Sequence, residues 1–150
     1  MIIALACDHG GLELKEEIKK HLEQIDIQVI DEGTYSLDSC NYAEFAIKAA
    51  KDVASKQADL GILVCTSGEG VAIAANKVKG IRCGIGYNDE VSHLLREHND
   101  ANMISFGAKF MSTSDVLRRV DIFIHARFEG GRHERRVDQL MDIEARNCAK

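Results

Sequence analysis

The 150-residue sequence contains no proline, so every turn rests on Gly, Asn, Asp or Ser. It has no apolar run near the roughly 20 residues that span a bilayer. Its start, MIIALACDHG, lacks the basic segment and cleavage site of a secretory signal. A cytoplasmic protein without a membrane partner is expected. The five cysteines (Cys7, Cys40, Cys65, Cys83 and Cys148) are odd in number and show no CxxC spacing, which argues against a disulfide frame and a zinc site. Basic excess is also absent. The formal net charge of −5 disfavours a general nucleic-acid binder, which needs a cationic surface for phosphates. Neither a Walker-type phosphate loop nor a GxGxxG fingerprint occurs, so nucleotide binding has no motif behind it. No internal repeat, low-complexity tract or linker interrupts the chain. With 45% hydrophobic residues, this length suits one core and one domain, residues 1–150.

What is present is an alternation of short apolar runs with amphipathic segments, the pattern of a parallel α/β sheet. Strands are expected at 2–6, 27–30, 60–65, 81–85 and 102–106. Leu14, Ile18, Leu22 and Ile25 recur at helical spacing and predict a helix over about 11–24. Further helices are expected at 43–56, 70–78, 89–97, 114–127 and 133–147. The last is highly charged and follows the Gly130-Gly131 hinge, so it is expected to lie across another surface, that of a neighbouring subunit. The fold class is therefore a three-layer α/β/α Rossmann-like sandwich with a five-stranded parallel sheet. Such sheets bind ligands beyond the carboxyl ends of the strands, where strand order reverses.

That rule selects the residues after each strand: Cys7 to Gly11, Cys65 to Gly70, Gly86 to Asp89, and Gly107 to Lys109. The REHNDAN segment, 96–102, is expected to converge with them. Charges at the mouth of a buried strand are costly unless paired or used, which marks Asp8 and His9, although Asp8 can also serve as a helix cap. Cys65 can simply finish its strand, yet it directly precedes a Gly-rich turn, Thr66, Ser67, Gly68, Glu69, Gly70, whose backbone N–H groups suit an oxyanion. Cys7 and Cys83 read as buried thiols. Glu69 is expected to point outward or cap the next helix, since its carboxylate would repel a phosphate. His98 is the histidine best placed for proton transfer. His21, His93 and His125 read as packing or surface residues, with His9 and His133 intermediate. Arg132 and Arg136 stand four apart on one helical face and can clamp a phosphate.

CDHGG after the first strand, the Cys65 turn followed by AIAANK, GIR, HND with a following FG, and FEGGRH with RV together resemble the type B ribose 5-phosphate isomerases. The likeness covers about residues 2 to 145. It implies a cofactor-free, metal-free aldose–ketose isomerase acting on a small phosphorylated sugar, ribose 5-phosphate or ribulose 5-phosphate. It also implies a homodimer or homotetramer with active sites shared between subunits. By motif, Cys65 corresponds to the base that moves a proton between C1 and C2, and His98, assisted by Asp8, to the residue that opens the furanose ring. Ser67 stands where the family usually has threonine. Asn99 corresponds to a partner of sugar hydroxyls, and Tyr42 lies in a segment near the substrate. His9, Arg132, Arg136 and Lys109 correspond to the phosphate site, Lys109 replacing a frequent arginine and losing its bidentate geometry. Tyr42-Ala43 replaces a common Tyr-Pro. The glutamate that serves as base in some relatives falls at Val71, which favours the cysteine mechanism. Other readings are an isomerase of a six-carbon sugar phosphate, a non-catalytic sugar-phosphate sensor and a cysteine hydrolase built on Cys65, His98 and Asp8.

Overall fold

Each apolar run forms a strand: β1 (Ile2–Cys7), β2 (Gln28–Asp31), β3 (Leu60–Cys65), β4 (Cys83–Ile85) and β5 (Met103–Gly107). In the computed structural model, which describes residues 1–148, these pair in parallel in the order β2-β1-β3-β5-β4. The helices are α1 (Leu12–Gln24), α2 (Tyr42–Ala54), α3 (Glu69–Ala75), α4 (Asp89–Glu97), α5 (Thr113–His125) and α6 (Arg132–Cys148). A short 3-10 helix, His9–Gly11, joins β1 to α1. The expected α/β/α sandwich is found. Among the described residues, no helix is long and apolar enough to cross a membrane.

Element ends differ from the periodic reading where side chains intervene. The β4 ladder starts at Cys83 instead of residue 81 because the Arg82 N–H goes to the Asn102 side chain at 2.9 Å. The third helix stops at Ala75, since Asn76 turns its amide onto the Cys83 backbone in both directions at 2.8 Å.

The two faces of the sheet are packed differently. On one, Ile3, Leu5, Ile62, Val64, Ile104 and Phe106 meet the apolar stripes of α1 and α5, including Ile18, Leu22, Val120 and Phe123. On the other, α2 and α3 present mainly alanine (Ala46, Ala49, Ala50, Ala74, Ala75) to Ala4, Ala6 and Leu63, so these helices approach closely. β3 is buried along its whole length, as a central parallel strand requires. Lys15 puts a charge inside: it is fully buried, pairs with Asp31 at 2.8 Å and donates to the Thr34 carbonyl at 2.7 Å. Burial raises the Asp31 carboxyl, but the Lys15 ammonium and the Gly33 N–H outweigh it and hold the group below the usual range.

Strand direction gives the sheet two unlike edges. The chain leaves every strand at the C-terminal edge and is returned by the next helix to the N-terminal edge. α4 starts at Asn88, whose side chain accepts the Val91 N–H at 2.8 Å, and ends at its C-cap, His98. Residues 99–102 then bond Arg82, the residue before β4: the Asn102 N–H reaches the Arg82 carbonyl at 3.0 Å. The N-terminal edge is also where α6 lies. It buries only His133 and Val137, and it is tied to residues 80–82 through Glu144, which accepts the Gly80 N–H, and through Met141.

Candidate active site

β1 and β3 are neighbours on whose two sides the strand order departs in opposite directions, so their carboxyl ends form the switch point. Cys65 ends β3 there and is 5% exposed. Gly68, at φ +84, turns the chain through the left-handed region and aims its N–H at the Cys65 sulfur, 3.1 Å away. The Glu69 N–H goes to the Ser67 hydroxyl at 3.2 Å. The exit of β5 straps the turn in place: the Ala108 N–H bonds the Cys65 carbonyl at 2.9 Å, and that of Lys109 the Thr66 carbonyl at 3.1 Å. Cys7 and Cys83 differ in kind. Burial pushes both thiols up to about 12, so they stay protonated and inert.

Around the Cys65 turn stand the residues of neighbouring elements. Asp8 is buried and accepts the Gly10 N–H at 2.9 Å, so it caps the 3-10 turn. Thr66 is so close to that turn that a Cβ on Gly10 would meet its Oγ1 at 2.4 Å. The Tyr42 ring lies over Gly70, where a Cβ would come within 2.8 Å of Cζ. His9 accepts the Cys40 N–H on Nδ1 at 3.3 Å, which places the proton of the neutral ring on Nε2. His9 and Lys109 line a cleft of about 880 Å³ with Leu12, Leu37 and Thr113. Ser67 and Glu69 line another of about 690 Å³ with Tyr87 and Phe110, and Glu69 is exposed, pointing outward as its chemistry predicts.

His98 and Asn99 are not in this group. Residues that precede a parallel strand belong to its N-terminal edge, so the expected convergence of 96–102 with the strand ends does not occur within one chain. Instead His98, Asn99 and Arg136 line a pocket of about 330 Å³ with His133, Val137 and Leu140. Arg132 and Arg136, on the first two turns of α6, are exposed beside it. Asn99 is exposed too, with its carbonyl held by Arg82 at 3.2 Å. Sequence reasoning left His133 undecided and passed over Glu129. The ring of His133 stacks on that of His98, with centroids 4.0 Å apart and planes 12° off parallel, and Glu129 lies within 4 Å of both Nε2 atoms. The signal was the i,i+4 spacing of Glu129 and His133. Donor atoms of His98, Glu129 and His133 lie within 4.8 Å of one another. Arg132 Nε already donates to His133 Nε2 at 3.5 Å, which occupies the lone pair a metal ion would need there.

The profile of the Ribose/Galactose Isomerase family matches residues 3–140. The chain is 41% identical over 144 residues to ribose-5-phosphate isomerase B of Escherichia coli, covering 96% of this chain and 97% of that one. Its fold superposes on Clostridium thermocellum ribose-5-phosphate isomerase B with a TM-score of 0.97 at 41% identity, covering 98% and 99% of the two chains. The Mycoplasma genitalium ribose-5-phosphate isomerase B, solved with bound ribulose-5-phosphate, gives 0.92 at 39% identity and 96% coverage of each. With matches of this extent running through both edges of the sheet, the chain belongs to the ribose/galactose isomerase family.

Proposed function

We propose that the protein, as one domain of residues 1–150, is a type B ribose 5-phosphate isomerase that interconverts ribose 5-phosphate and ribulose 5-phosphate without metal or cofactor. The observation that carries this reading is the Cys65 sulfur at the switch point, accepting the Gly68 N–H, with Asp8, His9, Tyr42 and Lys109 on the elements around its turn. A sulfur that accepts a hydrogen bond has the polarity that a base requires.

In the open-chain aldose, the C1 carbonyl acidifies the proton on C2. The Cys65 thiolate takes that proton, the electron pair forms the C1–C2 double bond, and O1 gains the charge. The first-turn amides of α3 at Gly70 and Val71 have no partner inside the helix and suit that oxyanion. The Ser67 hydroxyl passes the O2 proton to O1, and sulfur returns its proton to C1, leaving a ketone at C2. His9 and Lys109 hold the phosphate, His9 through Nε2.

His98, Asn99, Arg132 and Arg136 then reach this site from a second copy of the chain, because their own edge is the wrong one. A two-fold axis makes two equal sites of this kind, in a homodimer or a homotetramer. Exposed apolar residues at both edges, Tyr42, Tyr87 and Phe110 on one and Leu140 and Ile143 on the other, supply contact surface. His98 gives a proton to the ring oxygen of the furanose as the C1–O bond breaks, while Asp8 takes the O1 proton.

The test is proton NMR in deuterated water with metal-free protein, offering ribose 5-phosphate, allose 6-phosphate and galactose 6-phosphate separately. Fastest ketose formation from ribose 5-phosphate, with deuterium entering at the carbon next to the carbonyl, is the expected result. A six-carbon substrate turned over faster changes the assigned substrate, and silence on all three overturns the isomerase reading.

A further inference from the structure

At the N-terminal edge, three elements bring ionisable groups to the ring of His98. Its own helix supplies Glu97, with Oε1 3.7 Å from His98 Nε2 and the other oxygen already engaged by His93. The segment between α5 and α6 supplies Glu129, with Oε2 at 3.9 Å. α6 supplies His133, stacked on the ring, with Arg132 beside it and Arg136 lining the same pocket.

These neighbours fix how many protons the stack can carry. His133 is 5% exposed, and Arg132 Nε donates to its Nε2 at 3.5 Å, so that nitrogen holds a lone pair and the ring proton sits on Nδ1. Burial, then the charges of His98 and Arg132, hold His133 below the usual imidazole range. Two charged rings stacked at 4.0 Å would repel, whereas a charged ring on a neutral one is attracted to its π face. Glu129 lies 3.7 Å from His133 Nε2, but Arg132 already satisfies that atom, which leaves the carboxylate to His98.

We infer that His133 and Glu129 are positioning residues for ring opening: the neutral face of His133 sets the plane of the His98 ring, and the Glu129 carboxylate keeps the proton on His98 Nε2. His98 then meets the cyclic sugar as an acid. Its proton goes to the ring oxygen, the C1–O bond breaks, and the O1 proton leaves to Asp8 of the facing copy as the aldehyde forms. The inference rests on the proposed isomerase reading and gives a reason for Glu129 and His133 within the FEGGRH segment.

The experiment compares the wild type with Glu129→Gln, His133→Ala and His133→Phe in two assays. One is kcat/KM for ribose 5-phosphate, which is cyclic, across pH. The other is solvent deuterium entry into ribulose 5-phosphate, which is acyclic and needs Cys65 but no ring opening. Glu129→Gln is expected to move the alkaline limb of the ribose 5-phosphate profile down by about half to one pH unit. His133→Ala should lose about tenfold in that kcat/KM, most of it recovered by His133→Phe, with deuterium entry kept within about twofold in every variant. A merely structural role would lower both assays together and leave the limb in place. An unmoved limb in Glu129→Gln, equal losses in the two assays, or a soluble His133→Phe with the full defect each overturns the inference. If His133→Ala does not fold, Glu129→Gln and His133→Phe decide the matter. Wild type inert in both assays overturns the isomerase reading itself.

Discussion

At the C-terminal edge of the sheet, the candidate groups are set by the main chain. Asp8, Cys65 and the amides of the Gly-rich turn are fixed by strand ends and by three-way backbone bonding among β1, β3 and β5. At the N-terminal edge the candidate groups are side chains carried on helix termini, a part-buried His98 at the end of α4 and the exposed Arg132 and Arg136 at the start of α6. A strand of five residues separates the two edges by about 16 Å. On the proposed reading the first edge holds reacting atoms still, where small displacements are costly. The second is built to reach, which suits a phosphate or a sugar ring approached from outside. The difference teaches that, on the proposed shared-site reading, proximity in such a site comes from the assembly and not from the chain.

Three substitutions, one co-refolding experiment and one titration break or sharpen that comparison. Cys65→Ser strikes the fixed edge, and kcat should fall by about a thousandfold with KM nearly unchanged, because a hydroxyl is a far weaker base than a thiolate. His98→Asn strikes the reaching edge and should cost about a hundredfold with ribose 5-phosphate while sparing deuterium entry into ribulose 5-phosphate. Co-refolding these two variants should restore about a quarter of wild-type activity, since half the dimers are mixed and each mixed dimer has one intact site. No recovery, with mixed dimers demonstrated by native mass spectrometry, would mean that Cys65 and His98 serve the same chain. Arg136→Ala should raise KM about tenfold and leave kcat within a factor of about three, read from steady-state kinetics.

The smallest effect is on stability. His133 has its folded-state value lowered from 6.5, so above 6.5 the ring is neutral whether the chain is folded or not. Below that, the unfolded chain binds a proton that the folded one resists, and stability is lost as pH falls. The urea midpoint should therefore drop less between about pH 7.5 and 5.5 in His133→Phe than in wild type at matched protein concentration.

The sandwich was legible because each element carries its own period: the apolar runs gave all five strands and the i,i+4 stripes gave the helices, with ends moved by a few residues where Asn76 or Asn102 captured the backbone. The fixed edge was legible for the same reason, since its groups follow directly on strands and the rule that selects them is local. The reaching edge was not, because His98 precedes a strand and its distance from Cys65 depends on chain direction, not on motif. Lys15 was invisible as well. It sits beside Leu14 on the flank of a stripe, where a lysine usually turns outward, and only the nearby Asp31 and the Thr34 carbonyl make an inward turn favourable.

The path of α4, down the height of the sheet from Asn88 to His98, has a consequence for how activity depends on amount. On the shared-site reading, a solitary chain owns a thiol without an acid at one end and an acid without a thiol at the other. Dilution below the dissociation constant then extinguishes turnover, and the rate rises with the square of total chain concentration until assembly saturates.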